Sequence, residues 1–175
     1  FDRDRLRPLL DSGSSMFQLV SYEWERVDGA LITAAIRMNR KLYKWSGARR
    51  LQTWNIIESR FDVVDEMMPV ELLEWFRDLD EKAILLLEDG HMLLDQSNTE
   101  RGFIIWWLRE LARMTKSDNK CMILGTVTPT TILELDKEMP IIELDLPRRH
   151  TLGIIFDDVT EEAGLLPHQI EKSEA

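Results

Sequence analysis

Two acidic residues and a histidine stand where a buried strand is predicted to end. Glu88, Asp89 and His91 follow five consecutive apolar residues, Ala83–Leu87, and such a run is typical of a strand covered on both faces of a parallel sheet. Open α/β sheets bind ligands at the carboxyl ends of their strands. An acid there can position Mg²⁺ on a nucleotide, or it can pair with a basic neighbour and carry the chain back to water. His91 could act as a general base or make a structural hydrogen bond.

A second polar cluster lies at the predicted start of a helix. Ser21, Glu23, Glu25 and Arg26 follow an apolar strand candidate at 16–20. A serine hydroxyl caps helix N-termini well, and carboxylates in the first turn interact favourably with the helix dipole. The cluster therefore predicts a helix start whose partial positive charge the protein satisfies by itself. Arg26 either pairs with one of the two glutamates or faces a partner.

Strands and helices that would hold these clusters alternate along the chain. The apolar runs that predict strands are 16–20, 41–45, 83–87, 120–125 and 141–146. Helical periodicity is found at 22–39, 69–80, 102–116 and 147–163. Residues 47–58 could form a hairpin or a loop, and 60–68 read as a connector. Because each later strand is reached by a helix, the pattern predicts an α/β three-layer sandwich around a doubly wound, parallel, five-stranded sheet.

The predicted helix at 102–116 carries three aromatic side chains. Its predicted buried stripe consists of Phe103, Ile104, Trp107, Leu108, Leu111 and Met114. Trp106 lies off this stripe, so we expect it under a neighbouring loop or at an interface.

The order of these features resembles the large α/β subdomain of an AAA+ ATPase. Residues 83–89 resemble its Walker B strand, and 121–128 resemble its sensor-1 strand with the polar end. Residues 141–147, IIELDLP, resemble the last strand of that subdomain. Individually these motifs are loose, and their order along the chain carries the resemblance.

The resemblance implies a strand order and a domain organisation. In AAA+ subdomains the five strands, numbered along the chain, lie in the order 5-1-4-3-2. We expect an N-terminal arm at 1–15, the AAA+-like domain at 16–164 and a truncated lid or tail at 165–175.

The same resemblance implies that subunits form a ring and that each places a cationic side chain at the contact with its neighbour. AAA+ subunits present a cation to the nucleotide of a neighbour, and Lys137, Arg148 and Arg149 lie near the corresponding positions. The expected partners are therefore other proteins or further copies of the chain, with a hexameric ring as one arrangement.

The chain departs from the AAA+ pattern at its first strand. The family carries GxxxxGK[ST] there, because glycines let backbone N–H groups surround the phosphates while the lysine meets their charge. This chain has Ser21-Tyr-Glu-Trp-Glu-Arg26 instead, and GxxxxGK[ST] occurs nowhere in it. Glu23 and Glu25 would repel a triphosphate. We therefore predict a degenerate P-loop, no ATP hydrolysis and no metal site in this chain.

A closer resemblance is to a P-loop-lacking N-terminal domain. It belongs to a family of AAA ATPases from bacteria, cyanobacteria and plastid genomes whose ATPase part is similar to FtsH. The matching positions are Ser21, Glu23, Glu25, Arg26, Trp45, Asp89 and His91. This resemblance implies an inert domain placed before an active one, so ATP and Mg²⁺ would bind in the longer protein after Ala175.

Three functions stay open on the sequence alone. The leading hypothesis is a non-catalytic AAA+-like domain that acts in assembly, regulation or partner binding. The alternative is a divergent ATP-binding ATPase domain in its own right. The third is a flavodoxin-like protein-interaction module, which a strand order other than 5-1-4-3-2 would favour.

Composition limits the compartment and the partners. A chain of 175 residues with 44% hydrophobic content can form one domain with a sizeable core. Its formal net charge of -10 disfavours nucleic acid. The single cysteine, Cys121, excludes an internal disulfide framework and is expected in the core, which fits the cytoplasm. No apolar stretch approaches the ~18 residues of a membrane span.

Overall fold

A computed structural model describes residues 6, 8–10, 13–114 and 119–144. Within these ranges the strands are β1 (Met16–Val20), β2 (Lys41–Ser46), β3 (Arg50–Asn55), β4 (Arg60–Asp65), β5 (Ala83–Leu87), β6 (Cys121–Thr126) and β7 (Ile141–Glu143). The helices are α1 (Trp24–Arg37), α2 (Pro69–Asp78), α3 (Gly90–Leu93) and α4 (Arg101–Met114), with a 3-10 turn at Leu133–Leu135. The predicted helix at 147–163, the domain boundary at 164 and the lid or tail at 165–175 lie outside the described residues.

The seven strands form one sheet in the order β4-β3-β2-β5-β6-β1-β7. Neighbouring strands from β2 to β7 in this order run parallel. Read from β7 to β2, these five strands have the predicted order 5-1-4-3-2. The predicted α/β fold class and the doubly wound sheet are therefore confirmed, and the strand order argues against a flavodoxin-like module.

A hairpin extends the sheet beyond the five predicted strands. Strands β3 and β4 pair antiparallel with each other, and β3 pairs antiparallel with β2. Residues 47–58 thus contribute a strand of a hairpin, and 60–68 contain β4 rather than a plain connector. Both strands mix polar and apolar residues, and no Asn-Gly or Asp-Gly pair marks the turn between them, so the usual sequence signal for a hairpin is missing.

The sheet separates two apolar cores. On one face, α2 and α4 pack against alternate residues of the central strand, Leu85 and Leu87. On the other face, α1 packs against Ile84 and Leu86. Because successive side chains of a strand point to opposite faces, the continuous apolar run of β5 supplies both cores. Leu6, from the helical N-terminal residues, is buried in the second core.

Helix α4 is rotated from its predicted orientation. The prediction that Phe103 is buried is wrong, because its side chain is 66% exposed. Ile104 and Leu108 are buried as expected, but Ile105 and Ala112 complete the buried face. The apolar arc is thus displaced by about one residue, which turns Phe103 outwards. Trp106, predicted to lie off the buried stripe, is 54% exposed. None of the described helices is long and apolar enough to cross a membrane.

A buried lysine connects α2 to the sheet. Lys120 precedes β6, and its Nζ donates hydrogen bonds to the carbonyl oxygens of Phe76, Arg77 and Leu79 at 3.1, 2.8 and 3.0 Å. The last carbonyls of a helix lack intrahelical partners and carry the negative end of its dipole. A cation at this position therefore stabilises the end of α2.

Candidate functional site

The start of α1 is closed by its own side chains. The N–H of Ser21 donates to the carbonyl oxygen of Thr126 at 3.0 Å, and its Oγ accepts a hydrogen bond from the N–H of Glu23 at 3.0 Å. Glu23 itself occupies the N-cap position, so Ser21 forms a turn before the helix instead of the predicted cap. The carboxylate of Glu23 pairs with Arg26, and Glu25 lies exposed in the first turn.

The indole of Trp24 lies beside the ends of two strands. A Cβ atom built on Gly125 would be 2.7 Å from Cη2 of Trp24 and 3.2 Å from the carbonyl oxygen of Leu87. Atoms do not approach that closely, so the ring requires glycine at position 125. Leu87 ends β5 and Gly125 lies near the end of β6. The ring therefore occupies the edge at which doubly wound sheets bind ligands.

Glu88 belongs to a buried cluster with Lys44 and Asp28. The ammonium of Lys44 lies 2.6 Å from Oδ2 of Asp28 and 3.5 Å from Oε1 of Glu88, and its side chain is 4% exposed. The same ammonium lies 4.1 Å from the ring centre of Phe61 in β4, a favourable cation–π contact. Elements α1, β2, β4 and the end of β5 thus meet at one cation. A basic partner for Glu88 was one of the alternatives from the sequence, and the structure identifies this partner as Lys44.

The electrostatics of this cluster reflect its burial. Desolvation raises the pKa of Glu88 above its ordinary value, and the nearby Lys44 ammonium offsets this only in part. The second oxygen of Asp28, Oδ1, is buried and makes no hydrogen bond with any described residue. The carboxylate of Glu88 is therefore held by an internal cation instead of facing an open ligand site.

Asp89 and His91 differ from Glu88 in their surroundings. Asp89 has a φ angle of 55° and an exposed side chain that makes no capping hydrogen bond to α3. Its carbonyl oxygen accepts a hydrogen bond from the N–H of Met92 at 2.8 Å. His91 is half-buried, and its Nδ1 has no hydrogen-bond partner among the described residues. The structural hydrogen bond expected of His91 is therefore not made by Nδ1 within those residues, and the role of His91 stays a prediction.

Lys137, the one of the three predicted trans-acting cations that the structure describes, does not join this cluster. Lys137 is exposed in the turn after the 3-10 helix, whereas Arg148 and Arg149 lie outside the described residues. Thr126, at the end of the sensor-1-like strand, has a buried Oγ1 without a partner in the described part of the chain. No three His, Cys, Asp or Glu side chains in the described ranges could together hold a metal ion.

The structure brings the two predicted clusters to the same edge of the sheet but adds residues that the sequence did not reveal. Trp24 and Lys44 are the most important of these. The signal for Lys44 was a lysine inside the alternating strand KLYKW, where a cation needs a buried partner. Trp45 from the same strand is buried, and its Nε1 donates to the carbonyl oxygen of Met67 at 2.8 Å.

A family model described as "SpoVK-like AAA ATPase, N-terminal domain" matches residues 2–144. The matched range includes both clusters and all seven strands. None of the curated proteins matches the chain. The match confirms the resemblance to the N-terminal domain of an AAA ATPase, while the similarity to FtsH stays a prediction.

Proposed function

We propose that this chain, which belongs to the family of SpoVK-like AAA ATPase N-terminal domains, acts without catalysis in the assembly, regulation or partner binding of a larger AAA ATPase. In this proposal ATP and Mg²⁺ bind to a part of the protein outside these 175 residues. The domain contributes a rigid α/β body to that larger protein.

One observation best supports this proposal. Side chains of the chain itself fill the edge of the sheet at the carboxyl ends of β5 and β6, where doubly wound sheets bind ligands. Trp24 lies against Gly125, and Lys44 neutralises Glu88 from inside the core. A nucleoside triphosphate would also meet two carboxylates at the start of α1, that of Glu25 and that of Glu23, which Arg26 neutralises in part. Two like charges at ~4 Å repel by about 4 kcal/mol near a protein surface, and no glycine-rich loop is present to offset this cost.

The first experiment is a titration of the purified chain with MgATP by isothermal calorimetry, together with an assay of phosphate release. We expect no saturable heat up to about 1 mM ATP, which corresponds to less than about 4 kcal/mol of binding free energy, and no phosphate release above the blank. Binding in the micromolar range that Asp89→Ala abolishes would overturn the proposal. Asp80→Ala, which removes an exposed carboxylate next to α2, is the matched control.

A divergent ATP-binding domain is the second candidate. It is favoured by two buried polar atoms near the same edge, Oγ1 of Thr126 and Nδ1 of His91, which lack hydrogen-bond partners within the described residues. A bound nucleotide could supply such partners. The calorimetric titration separates the two candidates, since this one requires MgATP binding that weakens in Thr126→Val.

The regulatory part of the proposal is tested in the longer ATPase. At a fixed protein concentration, removal of this domain should change ring assembly in sedimentation velocity or alter the rate of ATP hydrolysis. Asp89→Ala in the same protein should change neither. A protein that assembles and turns over identically without the domain would exclude a role in assembly and regulation.

A further inference from the structure

We infer that the exposed face of α4 is a docking surface for an acidic, amphipathic segment of another protein. This inference deepens the proposed function, on which it rests, by naming a class of partner. Phe103 and Trp106 are 66% and 54% exposed on this face. Together with Thr99 and Gly102 they line a groove of about 450 Å³. Two large aromatic side chains exposed on one helix are unusual unless they contact something.

The groove is held in shape by packing beneath it. The ring of Trp106 meets that of Trp107 edge to face, with 5.0 Å between the ring centres. Trp107 is 7% exposed, and the guanidinium of Arg77 lies 4.8 Å from its ring centre. Trp106 therefore stands on a buried, fixed support. A rigid aromatic anchor loses little conformational entropy when a partner binds.

Gly102 provides the open space of the groove. A Cβ atom at this position would have no heavy atom within 4 Å, so packing within the domain does not require glycine here. Glycine is also a poor helix former. Its absence of a side chain leaves room between Phe103 and Trp106, where an apolar side chain of a partner can enter.

Charge on the same face indicates what else the partner carries. On this face Arg109 and Arg113 are opposed by one glutamate, Glu110, which gives a formal charge of +1, whereas the whole chain has -10. Arg101, at the start of α4, is half-buried and donates from its Nε to the carbonyl oxygen of Leu94. Arg109 and Arg113 follow Trp106 at helical spacing, and both are exposed. Arg113 lies 3.6 Å from Glu110. A partner with apolar residues opposite the aromatic pair and carboxylates one or two turns further along is complementary to this face.

Other occupants fit less well. A two-fold contact between two copies of α4 would bring the same basic stripe into the interface twice, because such an interface uses the same patch on both copies. An anionic membrane or a nucleic acid is an extended surface and would meet the acidic remainder of the chain, whose net charge is -10, whereas a short segment meets this face alone. A concave groove beside a basic stripe instead matches the recognition of an amphipathic helix.

The test measures binding of a defined probe by fluorescence anisotropy. The probe is a fluorescein-labelled peptide of about three Glu-Glu-Leu-Leu repeats, and its charge-reversed counterpart contains Lys-Lys-Leu-Leu repeats. We expect the acidic peptide to bind with a Kd of about 10–100 µM. Binding should weaken when the salt concentration rises, since exposed charges are screened. The basic peptide should bind at least tenfold more weakly.

Variants of the groove make the test specific. Trp106→Ala should weaken binding of the acidic peptide at least tenfold, and Arg109→Glu should weaken it about fivefold and reduce its salt dependence. Gly102→Leu should abolish binding while the melting temperature stays equal or rises, because the added side chain fills only the groove. Ile57→Ala removes a side chain that is 88% exposed on the β3–β4 hairpin and should leave binding unchanged.

Several outcomes would overturn the inference. They are equal affinity for the two peptides, peptide binding that Trp106→Ala leaves unchanged, and peptide binding that Ile57→Ala weakens as much as Trp106→Ala does. Absence of peptide binding together with Trp106-dependent binding to phosphatidylglycerol vesicles would assign the surface to membranes. Absence of peptide binding together with a Trp106-dependent dimer would assign it to a second copy. None of these measurements involves ATP. A failure of this inference can therefore be distinguished from a failure of the proposed function in the calorimetric test.

Discussion

Replacement of Lys44 by methionine should destabilise the domain strongly. The ammonium lies 2.6 Å from Asp28 Oδ2 and 3.5 Å from Glu88 Oε1, so its removal leaves two carboxylates without their cation. Methionine is similar in length and flexible enough to fill the same space. The loss therefore reports on charge and not on a cavity.

The magnitude follows from the distances and the burial. At an effective dielectric constant of about 20, the two Coulomb attractions are roughly 6 and 5 kcal/mol. Most of this energy offsets the cost of taking the charges out of water, and removal of one partner from a fully buried pair costs about 3–5 kcal/mol. The side chains of Glu88 and Asp28 are 13% and 22% exposed, so water recovers part of the loss. We expect a decrease of about 2–4 kcal/mol in the free energy of unfolding.

The assay is urea unfolding at pH 7, followed by circular dichroism at 222 nm. The free energy of unfolding of a protein domain is about 5–15 kcal/mol, so the variant should stay folded in the absence of urea. The urea concentration at the midpoint of unfolding should fall, and the dependence of the free energy on urea concentration should not change. Lys41→Met is the matched control in the same strand. Lys41 lies 2.9 Å from Glu81, but its side chain is 61% exposed, and such pairs contribute less than about 1 kcal/mol.

The pH dependence separates charge from packing. Burial raises the pKa of Glu88 in the folded state, so the stability contributed by this carboxyl is present below its unfolded pKa and is lost as pH rises through its folded pKa. Without Lys44 this pKa rises further, and the variant loses more stability than the parent between about pH 5 and 7. The difference between the two proteins should therefore shrink at about pH 5. A difference that is the same at both pH values, or is matched by Lys41→Met, would refute the reasoning.

Three further predictions concern other contacts. Lys120→Met should lower the free energy of unfolding by about 2–4 kcal/mol, because three carbonyl oxygens at the end of α2 lose a charged donor; a loss below about 1 kcal/mol in urea unfolding would contradict this. Gly125→Ala should lower the free energy of unfolding by about 1–3 kcal/mol, because its Cβ would overlap the ring of Trp24. Gly102→Ala should instead raise the melting temperature in calorimetry. Equal effects of the two substitutions would count against the close contact between Gly125 and Trp24. Burial raises the pKa of the Cys121 thiol to about 12, so Ellman's reagent should label it only after denaturation, and rapid labelling of the native protein would show that the core opens.

The central part of the fold could be predicted because its signals are local. The run Ala83–Leu87 is apolar at every position, and the structure uses alternate residues for the two cores. Helical periodicity between the strands then required a parallel sheet. The edge position expected for 141–146 also agrees with β7, which pairs only with β1 in the described residues.

The hairpin and the rotation of α4 were harder to predict for physical reasons. The turn between β3 and β4, residues 56–59, contains no glycine and has Ser59 at positive φ, so it gives no turn signal. In α4 every residue from Phe103 to Leu108 is apolar. A helix that is apolar almost all round does not determine which arc faces the core. Only the packing of α4 against α2 and the sheet decides which side of the helix is buried.

Residues of the candidate site could be named from the sequence, but their contacts could not. Acids at the end of β5 and at the start of α1 lie at one edge of the sheet. The partner of Glu88, however, is Lys44 on β2, and the second carboxylate on that cation is Asp28 from α1. Such a cluster depends on how three separate elements pack, and a single sequence contains no direct record of that arrangement.

The closed edge has a consequence for any attempt to restore nucleotide binding. A sheet edge open to a nucleotide gains stability from the bound ligand, whereas here Trp24 and the Lys44 cluster fill and neutralise the edge from within. On the proposed function, a P-loop lysine grafted at the start of α1 would meet Glu23 and the indole of Trp24 before any phosphate. The motif alone is therefore not expected to restore ATP binding. Removal of the indole and of the Glu23 carboxylate would be required as well, and both changes would first cost stability that no ligand yet replaces.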